Sequence, residues 1–191
     1  MTTIHLSRDE RLSSILKAAS EIIMESGIEA TTVTAIATRS GVSRQWLYDF
    51  FPDVEAILRA LFAEAQREFF VDDPLLLPGD EDFVEFVRRG SLAWLQMPVA
   101  FAMLTSHALN GGSRNNSSGS TLRSFILESF ERSWVDPLVA FGFKREVLYG
   151  SIMTILSTAI GLNIAVAEGL TTYEVAEARL CTVIEAIIAS D

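Results

Sequence analysis

The sequence predicts an all-α fold of about nine helices. Apolar residues recur three and four positions apart through most of the chain, which is the spacing of a buried helix face. Helix start signals precede these runs, and Gly or Pro follows them. The alternation of apolar and polar residues that is typical of strands is nearly absent.

The first seventy residues carry four sets of helix start and stop signals. Ser7 and Glu10 have the spacing of a capping box, and Gly27 ends the apolar run behind them. Pro52 and Asp53 suit a first helical turn, because proline needs no donor there and the helix dipole favours an acid. These signals predict helices over about 8–26, 33–40, 44–50 and 52–70.

The rest of the chain is expected to form five more helices, over about 80–96, 98–110, 121–141, 145–168 and 173–189. Pro98 separates the first two, Gly142 ends the third, and Thr171 and Glu174 have capping-box spacing at the start of the last. Residues 72–80 and 111–120 are rich in Pro, Gly, Ser, Asn and Asp, and are expected to be loops.

The charge balance restricts how this chain can contact nucleic acid. The 191 residues carry a net charge of −10, of which residues 1–60 account for −2. This argues against a general nucleic-acid binder, so any DNA contact must come from a few well-placed cations. The single cysteine, Cys181, excludes an internal disulfide. The polar N-terminus is unlike a signal peptide, and a cytoplasmic location is expected.

Residues 33–51 have the pattern of a helix-turn-helix. Two helices that cross this closely need a small residue, a glycine in the turn and an aliphatic side chain, and Ala37, Gly41 and Leu47 meet these needs. On this spacing alone, an ordinary helical hairpin is the alternative. Arginine suits guanine and glutamine suits adenine in the major groove. The side chains left outward on the third helix are Arg44, Gln45, Trp46, Tyr48 and Asp49.

A family resemblance is carried by residues between Arg11 and Leu58, about a quarter of the chain. They are Ile15-Leu16-x-Ala18-Ala19, Gly27, Thr31-Thr32-Val33, Ile36-Ala37, Gly41-Val42-Ser43, Leu47-Tyr48, Phe51-Pro52 and Glu55. With these residues the segment resembles the DNA-binding domain of the TetR family of transcriptional regulators. Beyond residue 60 only the number and layout of the helices agree with that family.

The resemblance implies a subunit of two domains. Residues 1–54 would form a three-helix DNA-binding domain with the helix-turn-helix, and residues 55–191 a helical ligand-binding and dimerisation domain. It also implies a homodimer, joined through the last two helices, on a double-stranded DNA operator. By the same resemblance Thr32 and Thr34 contact phosphate and Tyr48 bonds the DNA backbone. Base contacts would come from Arg44, Gln45 and Trp46.

Three positions depart from the family pattern. Phe50 stands where the family often has His or Tyr, and it cannot donate a hydrogen bond. Val54 stands where the family often has Lys, and Asp49 adds a negative charge. Fewer phosphate contacts predict weaker and less salt-dependent binding, and a relative that no longer binds DNA is the alternative. The arginines that could compensate are Arg8, Arg11, Arg39 and Arg44.

Residues 147–167 carry no charge over 21 positions, which is long enough for a membrane span. A lipid-facing helix would not need the small and polar residues that recur there at helical spacing, namely Gly150, Thr154, Ser157, Thr158 and Gly161. A core helix is therefore expected rather than membrane insertion. The last helix places apolar residues on one face, and the resemblance makes these two helices half of an intermolecular four-helix bundle.

The helices from about 55 to 168 are expected to enclose a ligand pocket. Aromatic and methionine residues there are candidates for its lining, although such residues are more often plain core. Cations in this region lie outside the apolar runs, which favours a neutral or apolar ligand. The candidates are Phe62, Phe69, Trp94, Met97, Phe101, Met103 and Met153, with His107, Thr158 and Asn163 as orienting groups.

Three hypotheses about function follow. The leading one is a homodimeric repressor that leaves its operator when a small apolar molecule binds. The alternative is a TetR-like regulator controlled by a protein partner or without an inducer, which a core without a cavity would favour. An enzyme, a cofactor and a metal are not expected, because neither His5 nor His107 stands in a catalytic or metal-ligand pattern.

Overall fold

The computed structural model describes residues 7–68, 83–110, 122–140 and 142–189, and within them it contains helices and no strand. The expected loops at 72–80 and 111–120, and Phe69, lie outside these residues. The helices are α1 (Arg8–Ser26), α2 (Val33–Ser40), α3 (Arg44–Phe50), α4 (Val54–Gln66), α5 (Phe83–Leu95), α6 (Val99–Leu109), α7 (Leu122–Phe130), α8 (Asp136–Ala140), α9 (Arg145–Ala167) and α10 (Tyr173–Ile188), with a 3₁₀ turn at Ile28–Ala30.

The α7 and α8 segments belong to one continuous helix, which brings the described part of the chain to nine helices. They are joined by a π-helical segment, Glu131–Val135, in which the Asp136 N–H donates to the Glu131 carbonyl. Pro137 follows at once and has no N–H to continue the α-helical bonds. The wider π turn accommodates it without ending the helix. The sequence predicted the single helix but not this change in its winding.

The first four helices each begin at a side chain that accepts a hydrogen bond from the first turn. Ser7 and Glu10 form the predicted capping box, with Ser7 N–H donating to Glu10 Oε2 at 2.7 Å. That bond favours the ionised carboxylate and lowers the pKa of Glu10. The predicted start of α4 at Pro52 was wrong by two positions, because Asp53 precedes the helix as its cap and accepts from Ala56 N–H at 2.7 Å. Caps of the same kind are Thr32 for α2 and Ser43 for α3.

The core of the N-terminal part is built around α1. Ile15 and Ile23 of α1, Ile36 of α2 and Leu47 of α3 are almost completely buried. Besides α2, α1 also packs against α4 and α6. The first three helices therefore rest on the helices that follow them.

The charge-free helix α9 lies at the centre of the C-terminal part. It packs against α5, α6 and α10 through a buried side that includes Leu148, Ile152, Ile155 and Ile160. By length and composition α9 could cross a membrane, as could α5 and α6 together despite a bend of 107° between them. A third of the most apolar window of α9 is buried inside the subunit. The core helix of a globular protein has the same composition.

The outer side of α9 is exposed, whereas the apolar face of α10 is buried. The small and polar stripe of α9 is open to solvent, with Thr158 half-buried and Gly150, Thr154, Ser157 and Gly161 exposed. The apolar face of α10, however, is buried within its own subunit through Ala176, Leu180 and Ile184. Its cap is Thr172, which accepts from Val175 N–H, and not Thr171.

Candidate functional site

The helix-turn-helix has the geometry that its sequence predicts. Ala37 and Leu47 are buried where α2 and α3 cross. Gly41 has a φ of 73°, in the left-handed region, and its N–H donates to the Ala37 carbonyl at 3.1 Å. A side chain would be strained at that φ, so glycine allows the sharp turn between the helices.

The outward side of α3 is polar and lies opposite the buried Leu47. Arg44, Gln45 and Tyr48 are exposed, Tyr48 by 48%. Gln45 Nε2 donates to Asp49 Oδ1 at 3.3 Å, so the acid predicted to repel DNA also orients the amide. At helical spacing Gln45 and Asp49 occupy the centre of the outward face.

The two threonines that the resemblance implicated lie at the start of α2. Thr34 is exposed. Thr32 is also exposed, but its hydroxyl accepts from Ala35 N–H at 3.1 Å as the cap of the helix. The hydroxyl proton of Thr32 is not used by this bond.

Trp46 is half-buried, unlike its neighbours on α3, because it belongs to a stack of four side chains. Its ring lies 4.2 Å from that of Phe50, measured between centroids. The Arg8 Cζ lies 4.6 Å from the Phe50 centroid, and the Arg11 Cζ lies 5.5 Å from the Trp46 centroid. Sequence reasoning missed this contact, because the four residues come from two helices separated by more than thirty positions.

The other candidate cations are placed differently. Arg39 is engaged by two carboxylates of α1, with Nη2 2.6 Å from Glu25 Oε2 and Nη1 3.9 Å from Glu21 Oε2. The bond from Arg39 lowers the pKa of Glu25 and raises the pKa of Arg39. Arg44 is exposed on α3 and has no ion pair among the described residues.

A cavity of about 200 Å³ lies between α5, the α7–α8 helix, α9 and the end of α10. Its wall is almost entirely apolar, with Ser91 and Ser151 as the polar side chains. The Ser91 hydroxyl is already committed to the Val87 carbonyl at 2.6 Å. The remaining lining residues are Val87, Trp94, Phe130, Trp134, Leu138, Phe143, Leu148, Ile152, Ile155, Leu156, Ala159, Ile187 and Ile188.

One wall of this cavity is the indole of Trp134, which the π segment carries. Behind the ring lies Gly90 of α5, where an added Cβ would be 2.6 Å from Trp134 Cη2. Glycine is therefore the residue that permits this ring position. Phe130 stacks beside Trp134 with their centroids 6.1 Å apart.

Comparison with known proteins identifies the N-terminal region. Residues 15–61 match the family model described as bacterial regulatory proteins of the tetR family. This stretch contains the helix-turn-helix and makes up about a quarter of the chain. A search of curated proteins found no match.

Several solved structures share the whole fold. A TetR-like regulator from Rhodococcus sp. RHA1 is 18% identical, with a TM-score of 0.70, over 98% of this chain and 100% of that one. Salmonella enterica GusR is 19% identical, with a TM-score of 0.65, over 97% and 98%. A TetR variant from Acinetobacter baumannii AYE, in complex with minocycline, is 19% identical, with a TM-score of 0.61, over 97% and 96%.

Only some of the predicted ligand residues lie at the cavity. Trp94 borders it. Phe62 and Phe101 stack with centroids 4.6 Å apart and line a much smaller adjoining cleft. The remaining candidates lie outside both: Met97, Met103, His107, Met153, Thr158 and Asn163.

Two of these residues have other surroundings. Asn163 is buried, and its Nδ2 lies 2.9 to 3.1 Å from the carbonyls of Trp94, Leu95 and Met97. It thus satisfies backbone acceptors at the end of α5. His107 is half-buried near the end of α6, and the described residues contain no cluster of His, Cys, Asp or Glu that could hold a metal.

Proposed function

We propose that this chain is a TetR-family, DNA-binding transcriptional regulator, and that it acts as a cytoplasmic repressor that leaves its operator when a small apolar molecule enters the cavity. The cavity is the observation that carries the proposal, because a packed core would have no room for an effector. In this proposal residues 1–54 bind DNA, and residues 55–191 bind the effector and form the dimer.

The size and lining of the cavity define the chemical class of effector. A dry cavity of about 150 Å³ can hold benzene, so one of about 200 Å³ suits a neutral molecule of roughly ten non-hydrogen atoms. A charged molecule would lose its hydration without gaining a counter-charge from this wall. The Acinetobacter TetR in complex with minocycline supports the idea that this fold accommodates small molecules.

Two hydrogen bonds offer a route from the cavity to the DNA-binding helices. The α4 and α7 helices run side by side, and Leu122 N–H donates to Glu55 Oε1 at 2.6 Å near the start of each. At the other end of α4, Gln66 Nε2 donates to Ser133 Oγ at 3.3 Å, within the π segment that carries Trp134. A shift of that segment would move α4, which directly follows α3. The effector would favour a conformation whose α3 helices no longer match the operator.

The dimer in this proposal forms through the outer side of α9 with α10. A Cβ at Gly150 or Gly161 would meet no atom of the same subunit within 4 Å. Nothing inside the subunit therefore requires a small residue there, whereas close approach of a second copy does. Exposed Leu170 and Val175, beside the start of α10, would add apolar area.

Ligand binding can be tested with variants that fill the cavity. Naphthalene and indole, as probes at saturating concentration, should raise the melting temperature of the wild type by roughly 5–10 °C. Ala159→Leu adds carbon atoms inside the wall and should abolish that shift. Thr158→Val and Met153→Leu, on the same helix but outside the cavity, should retain it.

The same variants decide whether binding controls DNA. Operator sequences would be selected from a random duplex pool, and the probes should weaken binding of the wild type but not of Ala159→Leu. A probe that raises the melting temperature and leaves DNA binding untouched would contradict release by an effector. Absence of any lipophilic hit would favour the second candidate, regulation by a protein partner or without an inducer.

A further inference from the structure

We propose that Arg8 and Arg11 form a phosphate-binding clamp along one edge of α3, held in place by the rings of Phe50 and Trp46. The inference rests on the DNA-binding function and assigns a DNA contact to the first turn of α1, outside the helix-turn-helix. Its ligand is the sugar-phosphate backbone of duplex DNA, independent of base sequence.

The first step is the position of the four side chains. They form one continuous stack, Arg8 on Phe50, Phe50 on Trp46 and Trp46 on Arg11, with separations of 4.6, 4.2 and 5.5 Å. Trp46 and Phe50 are one helical turn apart on α3, and Arg8 and Arg11 are one turn apart on α1. Two arginines are thus fixed beside the recognition helix by its own aromatic residues.

The second step is the location of this stack relative to DNA. At helical spacing Trp46 and Phe50 flank one side of the outward face formed by Gln45 and Asp49, and Arg44 and Tyr48 flank the other. A helix in the major groove has a phosphate strand along each of its flanks. The two arginines accordingly stand where one of those strands would pass.

The third step is the availability of the guanidinium donors. Stacking on a ring uses the face of a guanidinium and leaves its N–H groups free at the edge. Neither Arg8 nor Arg11 has an ion pair among the described residues, whereas Arg39 is committed to Glu21 and Glu25. Phe50 has no donor of its own, and the cation stacked on it supplies five.

The stack also reduces the cost of binding. A free arginine side chain loses rotamer freedom when it bonds a phosphate, and a stacked one has already lost part of it. Residues 1–60 carry six cations against eight acids. Arg8 and Arg11 are therefore two of only six cations in this region that could contact DNA phosphates.

The test measures the salt dependence of binding to a fluorescent duplex of random sequence, about three helical turns long. The slope of log K against log salt is negative, and between about 50 and 200 mM salt each lost phosphate contact reduces its magnitude by about 0.9. The double variant Arg8→Ala, Arg11→Ala should therefore lose about 1.8 in slope per subunit. Its preferred operator, selected from a random pool, should be unchanged.

Two controls separate a phosphate contact from a structural role. Arg8→Lys with Arg11→Lys preserves the charges and should retain most of the slope. Arg39→Ala removes a cation that is already paired with acids and should leave the slope unchanged. Melting temperatures of all variants, followed by circular dichroism, report any loss of folding.

The outcomes are distinct. A double alanine variant that is folded and has the wild-type slope would overturn the clamp while leaving DNA binding intact. A slope that falls equally in Arg39→Ala would overturn it too, since the effect would then be one of net charge. A wild type that binds neither the random duplex nor any selected sequence would refute the clamp together with the proposed function.

Discussion

The first four helices and two of the later helices begin in different ways. Each of α1, α2, α3 and α4 starts at a Ser, Thr or Asp whose side chain accepts a backbone N–H. The α6 and α9 helices follow Pro98 and Lys144 and have no side-chain cap, although α10 is capped by Thr172. Because α6 and α9 are strongly apolar, burial stabilises them and they depend less on a cap, whereas the more polar helices α1 and α2 depend more on local stabilisation at their ends.

The two regions also differ in how closely they are packed. At the crossing of α2 and α3 the side chains meet with Leu47 only 1% exposed, while the helices around Trp134 enclose a void of about 200 Å³. A surface that must fit DNA benefits from a single rigid geometry. A region that responds to a small molecule needs space and an alternative packing.

The largest effect that we expect concerns the outer face of α9. Gly161→Leu should convert the proposed dimer to monomers, because the leucine would separate the two helix pairs, while a Cβ at this position has room within its own subunit. Sedimentation velocity at micromolar concentration should show the change, with operator affinity falling in parallel. Lys17→Leu, which also places a leucine at an exposed position but on α1, should remain a dimer and so controls for the effect of added apolar surface. A stable wild-type monomer, or a Gly161→Leu variant that remains a dimer, would refute the proposed dimer interface on α9.

A smaller effect separates base recognition from positioning on α3. Arg44→Ala and Gln45→Ala should each lose about 1–3 kcal/mol at particular base pairs and relax the preference there. Tyr48→Phe removes only a hydroxyl from the flank and should weaken binding to all sequences alike. Selection from random duplex pools measures both. If Tyr48→Phe altered the preferred sequence while the other two did not, the orientation of α3 would be different.

The smallest effect tests the contrast between capped and uncapped helices. Asp53→Ala removes the cap of α4 and should lower the free energy of unfolding by about 1 kcal/mol. Lys144 already has the extended backbone of a cap position, with φ −77° and ψ 130°. Lys144→Asn should therefore raise stability by a similar amount. Urea denaturation followed by circular dichroism measures the free energy of unfolding of both variants. An equal loss of stability in the two variants would contradict the proposed difference between capped and uncapped helices.

The capped region was the more predictable one from sequence. Its signals are local: Ser7 lies three residues from Glu10, and Gly41 lies four from Ala37. The starts of α1, α2 and α3 and the glycine turn followed from such spacings, as did the exposure of the outward residues of α3 other than Trp46, which is half-buried. The stack of Arg8 on Phe50 did not, because it joins residues whose distance in sequence says nothing about their distance in space.

The cavity was predictable in kind but not in its lining. An apolar wall was expected, yet most of the lining residues are aliphatic, such as Leu148, Ile152 and Ile155, and these are indistinguishable from core in sequence. Conversely, His107 and Asn163 were distinctive in sequence and lie elsewhere. A void is defined by what surrounding helices fail to fill, and no short segment encodes that.

Gly90 does not border the cavity, yet it determines where one of its walls stands. A single carbon atom added there would force the indole of Trp134, which lines the cavity, to move. If the cavity binds an effector as proposed, the range of molecules that it admits can therefore change in evolution while every residue in contact with them stays the same. Selection for a new effector can therefore act on residues such as Gly90, which contact the cavity lining and not the effector itself.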